Sequence, residues 1–110
     1  MTKDQSSNHR KALERIAAQP NKYGIKNVIA SAIEPTLYTP DRQTIAEPDI
    51  VFFTSDMDIY IIEYKSNGNS SLISKAEKQL STAADWFNKY TGISPKVKII
   101  HGTDHPELKD

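Results

Sequence analysis

Apolar positions along the chain follow two different periods. From Asn8 to Gln19, Ala12, Leu13, Ile16 and Ala17 recur at spacings of three and four. That spacing predicts an amphipathic helix, stopped by Pro20 and Gly24. Leu72, Ile73, Ala76, Leu80, Ala83, Ala84, Phe87 and Tyr90 form a longer stripe of the same kind, so a second helix is expected to run to about Tyr90. Ser70 or Ser71 is suited to cap its start and Gly92 to end it. The remaining apolar residues sit in short β-branched and aromatic runs: Lys26–Ile33, Pro48–Thr54 (PDIVFFT), Asp58–Lys65 (DIYIIEYK) and Lys96–Ile100 (KVKII). Pro35, Pro40 and Asp41 mark an extended hairpin connection after the first of these.

The order is α-β-β-β-α-β. Three strands at short spacing favour an antiparallel meander. The long helix can act as a right-handed crossover that makes the last strand pair parallel. The fold class expected is therefore α/β, a mixed four-stranded sheet flanked by helices. With 110 residues the chain is read as one domain, residues 1–110, with flexible ends at 1–7 and 103–110.

Parity gives this outline chemical content. Glu63 and Lys65 are two apart on one strand and share a face with Ile59 and Ile61. Asp49 shares a face with Val51 and Phe53 on the strand before. If Ser55, Asp56 and Met57 form a three-residue loop, Thr54 pairs with Asp58, and Asp49 falls opposite Glu63. Opposed residues on one face have Cβ atoms about 4.5–5.5 Å apart. Two carboxylates at that separation repel, and a shared proton, a nearby cation or a bound divalent metal would offset the cost. Oxygen ligands suit Mg²⁺ or Mn²⁺, and Lys65 beside them supplies a compact charge for a phosphate oxygen or an attacking water. Removing one acid, as in Asp49→Ala, is then expected to raise stability in metal-free buffer.

Pro48-Asp49, an apolar strand and then Glu63-Tyr64-Lys65 resemble the PD-(D/E)xK nuclease superfamily, whose members share a restriction-endonuclease-like α-β-β-β-α-β core. In length and layout the chain is most similar to the archaeal-type Holliday-junction resolvases, over roughly His9 to Ile100. The resemblance implies a Mg²⁺-dependent endonuclease hydrolysing DNA, with branched DNA as one substrate. It implies that Asp49 and Glu63 bind metal and that Lys65 assists the nucleophile. It also implies a homodimer. A glutamate on the first helix completes the metal site in those resolvases. Glu14 is the candidate here, with Glu34, at the end of the first strand, as its rival. The alternative reading is a module that keeps the fold as a nucleic-acid-binding or regulatory unit without turnover.

Composition narrows the surroundings of this site. The chain has 14 basic and 14 acidic residues, so it lacks the basic excess of a protein that coats nucleic acid. It contains no cysteine, which excludes disulfides and thiolate metal sites. No apolar run approaches the roughly 20 residues that span a bilayer, and the first residues show no signal-peptide pattern, so a cytoplasmic location is expected. His9, His101 and His105 show no metal-ligand spacing. Gln79 and Trp86 fall at the edge of the long helical stripe, and Lys22, Lys26, Arg42, Lys75 and Lys78 read as surface cations.

Overall fold

The computed structural model describes residues 7–109. The flexible start expected at residues 1–7 lies outside that range except for Ser7. Two helices, α1 (Ser7–Ala18) and α2 (Ser70–Thr91), pack on a sheet of four strands. These are β1 (Val28–Ile33), β4 (Ile50–Thr54), β5 (Ile59–Lys65) and β6 (Lys96–His101), in the spatial order β1-β4-β5-β6. The first two neighbouring pairs are antiparallel and β5 with β6 is parallel. The connection from β1 to β4 contains its own small hairpin, β2 (Leu37–Tyr38) with β3 (Thr44–Ala46). No helix among the described residues is long and apolar enough to cross a membrane.

The sheet has an apolar layer on each face. On one, Leu13 and Ile16 of α1 meet Ile50, Phe52, Ile62 and Ile100. On the other, Leu80, Ala83 and Phe87 of α2 meet Val51, Ile59 and Ile61. The central strands β4 and β5 are covered on both sides, which is why they read as nearly unbroken apolar runs. The edge strands β1 and β6 are far more exposed. A bulge between Val28 and Ala30 disturbs the β1 edge, and Lys96 and Lys98 charge the β6 edge.

Local chemistry sets the ends of these elements. The cap of α2 is Asn69 rather than a serine: its Oδ1 accepts from the Ser71 amide at 2.9 Å. Gly92 ends the helix with a left-handed φ of 76°. The loop between β4 and β5 is Ser55-Asp56-Met57, closed by hydrogen bonds from the Thr54 amide to the Asp58 carbonyl (3.1 Å) and from the Met57 amide to the Thr54 carbonyl (3.2 Å). Met57 takes the left-handed position that this loop length calls for, at φ 68°. The Thr54 hydroxyl, on a buried residue, accepts from the Asp56 and Asp58 amides.

The tail is expected to be polar and flexible from residue 103, but its described residues, 103–109, pack. Two short 3-10 turns, Gly102–Asp104 and Pro106–Leu108, fold it back until Leu108 is buried against the α1 layer. Gly102 permits this approach: a Cβ there would lie 2.7 Å from the Tyr64 hydroxyl and 3.0 Å from Ser66 backbone atoms.

Candidate metal centre

The register of β4 and β5 pairs Ile50 with Ile62 and Val51 with Ile61. Asp49 lies in a bend just before β4, and extending that register by one residue would set it opposite Glu63. Thr54 and Asp58 form a hydrogen-bonded pair, and such pairs recur every second residue in an antiparallel ladder. Counting from there, a continued ladder would give Asp49 and Glu63 a non-hydrogen-bonded position, where opposed side chains lie closest. The next hydrogen-bonded position would set Pro48 opposite Tyr64, but Pro48 has no amide to donate, and the regular ladder ends.

The two carboxylates take over where the ladder stops. Asp49 Oδ2 accepts from the Tyr64 amide at 2.8 Å, and Glu63 Oε2 accepts from the Asp49 amide at 2.9 Å. Both residues are almost fully buried, at 3% and 2% exposure. Lys65 Nζ lies 4.0 Å from Glu63 Oε1. The three residues expected to carry chemistry are thus gathered at one end of the sheet. The acids are held by backbone donors, and the lysine is partly exposed beside them.

Two further groups join Asp49. His9, on α1, places Nε2 3.4 Å from Asp49 Oδ1. Glu34 follows β1 directly and donates its amide to the Asp49 carbonyl at 2.7 Å, with a left-handed φ of 52°. His9, Glu34 and Asp49 each offer one ligand atom within 4.8 Å of the others. Glu14 is not in this group. Its side chain is 57% exposed and meets the Arg10 guanidinium at 3.4 Å. Arg10 also donates to Glu34 at 2.9 Å, and these bonds, that to Glu34 foremost, raise the arginine pKa.

The helical stripe explains the difference between His9 and Glu14. His9, Ala12, Leu13 and Ile16 are spaced i, i+3, i+4 and i+7, so His9 begins the face that packs on the sheet. Glu14 falls off that face. Ligand spacing alone overlooks His9, whereas its place on the apolar stripe marks it. Its ring also lies 5.9 Å from that of Tyr64, whose hydroxyl is pushed up in pKa by burial. Gln79 lies elsewhere, lining a cavity with Lys75 and Glu47, and Trp86 packs at the edge of the α2 layer while donating to the Tyr38 carbonyl at 2.7 Å.

The donor chemistry fits a divalent cation. Carboxylate oxygens from Asp49 and Glu34 suit Mg²⁺ and Mn²⁺ alike, and an imidazole nitrogen favours Mn²⁺ of the two. No family model matches this chain, and no curated protein and no solved structure matches it. The case for function therefore rests on the geometry of this site.

Proposed function

We propose that this chain is a metal-dependent endonuclease of the PD-(D/E)xK type, hydrolysing DNA phosphodiester bonds. One observation carries the reading. Two acids, Asp49 just before β4 and Glu63 on β5, are buried together and linked by the Asp49 amide to Glu63, with Lys65 two residues on along β5. Burying two neighbouring carboxylates is costly unless positive charge offsets it. The order of elements, α-β-β-β-α-β for the main sheet, supports the restriction-endonuclease-like form of the fold.

Asp49 and Glu34, with His9, would hold a divalent ion, and Glu63 stands beside them. Such an ion, when bound, supplies charge to the scissile phosphate and acidifies a water. The protein's own contribution is positional. The Tyr64 and Asp49 amides fix the two carboxylates, and the Lys65 ammonium is placed to meet a phosphate oxygen or to orient the nucleophile. A homodimer would present two such sites to the two strands of a DNA substrate, as the family resemblance implies.

A second reading has an observation in its favour. Because each acid accepts a main-chain amide where Pro48 ends the ladder, both have a structural task without any metal. On that reading the chain is a nucleic-acid-binding or regulatory module without turnover. Thermal unfolding with and without Mg²⁺ or Mn²⁺, followed by incubation with linear, single-stranded and four-way-junction DNA, separates the two. The nuclease reading requires a melting temperature raised by metal through linkage and metal-dependent cutting of at least one substrate. Absence of both leaves the structural task as the sufficient account.

A further inference from the structure

We propose that the groove between the β2–β3 hairpin and α2 is a track for single-stranded nucleic acid; the proposal deepens the endonuclease reading by giving its substrate a shape. Three cavities line up along α2 and merge through shared residues. The first, of about 600 Å³, is formed by Ser70, Ser71, Ser74, Lys75 and Lys78. The second, of about 480 Å³, shares both lysines and adds Gln79 and the β3 residues Thr44 to Ala46. The third, of about 240 Å³, shares Ile45 and Thr82 and ends against Trp86 and Tyr90. From Ser70 to Tyr90 the helix covers about 30 Å at its usual rise, enough for several nucleotides.

The lining changes character along this length. At the α2 start it consists of hydroxyl and ammonium donors with no acid in that cavity. Lys22, Lys65 and Lys96 each have a carboxylate within 4.0 Å, whereas Lys75 and Lys78 have none among the described residues. Two lysines one turn apart, without counter-charge and beside a row of hydroxyls on the same helix, suit the phosphates of a nucleic-acid backbone. At the far end the lining is aromatic. The rings of Trp86 and Tyr90 lie 5.3 Å apart, tilted by 52°, and Tyr90 and Ile45 are each 41% exposed. Donors for phosphate followed by an exposed ring, that of Tyr90, are what a single strand needs, because its base faces are free to stack. A duplex keeps those faces covered. Glu47 and Asp85 also line the groove, so three lysines meet two acids along its whole length. The attraction is therefore concentrated at the Lys75–Lys78 end.

Anisotropy of a labelled oligothymidine in EDTA tests this apart from any cleavage. The full chain should bind the oligomer more tightly than a duplex of equal length. Lys75→Ala with Lys78→Ala should weaken binding roughly tenfold at low salt and flatten the salt dependence by about 1.4 in log–log slope, at roughly 0.7 per phosphate contact. Tyr90→Ala should weaken it roughly five- to tenfold through lost stacking. Lys26→Ala, which removes a charge outside the groove, should change little. Far-ultraviolet circular dichroism checks that each variant is folded. Equal binding of duplex, unchanged affinity in the folded groove variants, or equal competition by polyglutamate would overturn the track. If the oligomer binds as described but no DNA is cut with Mg²⁺ or Mn²⁺, the track stands and the endonuclease reading fails. If DNA is cut while the groove variants bind normally, the reverse holds.

Discussion

The Asp49 amide donates to the Glu63 carboxylate at 2.9 Å, so one acid of the pair anchors the backbone that carries the other. Asp49 is held in turn by the Tyr64 amide. The arrangement changes the expected response to mutation. From charge repulsion alone, Asp49→Ala should stabilise the metal-free protein. The structure shows that it would leave the buried Tyr64 amide without its acceptor, at a cost of about 1–3 kcal/mol. Asp49→Ala should therefore lower the urea midpoint in EDTA, and Asp49→Asn, which keeps an acceptor oxygen, should lower it less. A higher midpoint for the alanine variant would restore repulsion as the larger effect.

Thr54 fixes the length of the loop that brings the two acids together. Its hydroxyl accepts from the Asp56 amide in the loop and the Asp58 amide just after it, and so holds the loop at three residues. A loop shorter by one would turn Asp49 and Glu63 to opposite faces. Thr54→Val keeps the shape and removes the acceptor. It should cost about 1–3 kcal/mol in denaturant unfolding and broaden the amide signals of residues 55–58 in nuclear magnetic resonance spectra. Unchanged stability would show that the strand ladder alone sets the register.

His9 and Glu14 lie on one helix but differ in reach. His9→Ala should weaken Mn²⁺ binding roughly tenfold, about 1.4 kcal/mol, seen as a smaller metal-induced rise in melting temperature. Glu14→Ala should leave that rise intact, because its carboxylate sits with Arg10 on the exposed side of α1. The opposite ranking would return Glu14 to the metal site.

The strand order, the three-residue loop and the Asp49–Glu63 pairing were legible in the sequence, because side-chain parity and loop length determine them together. Lys65 followed from the same parity. His9 was harder to see, since a lone histidine has no ligand spacing to count, although it continues the stripe of Leu13 and Ile16. That Glu34 rather than Glu14 lies beside His9 and Asp49 depends on the left-handed turn after β1, which no apolar pattern encodes. The packing of Leu108 was hidden as well, because one leucine in a polar tail carries no period.

Alkaline stability should report on that tail. Burial first, and then the hydrogen bond to Glu107, pushes the Tyr23 hydroxyl from 10 up to about 12. The folded state holds this proton more tightly than the unfolded state. The associated stability is therefore present below pH 10 and is lost as pH rises towards 12, at most about 2.7 kcal/mol. Tyr23→Phe should remove that part of the decline when urea midpoints of the two proteins are compared across this window. Parallel curves would mean that Tyr23 titrates alike in both states.

The most direct measurement concerns Lys65, which is partly exposed 4.0 Å from Glu63, while main-chain amides hold both acids. Wild type and Lys65→Ala are compared for Mn²⁺-dependent cleavage of a mixed DNA panel and, in parallel, for the Mn²⁺-induced rise in melting temperature. The account predicts that the variant keeps the thermal shift and loses cleavage by at least a hundredfold, within the range of a lost positioning and acid–base group. A variant that cuts as fast as wild type would contradict it.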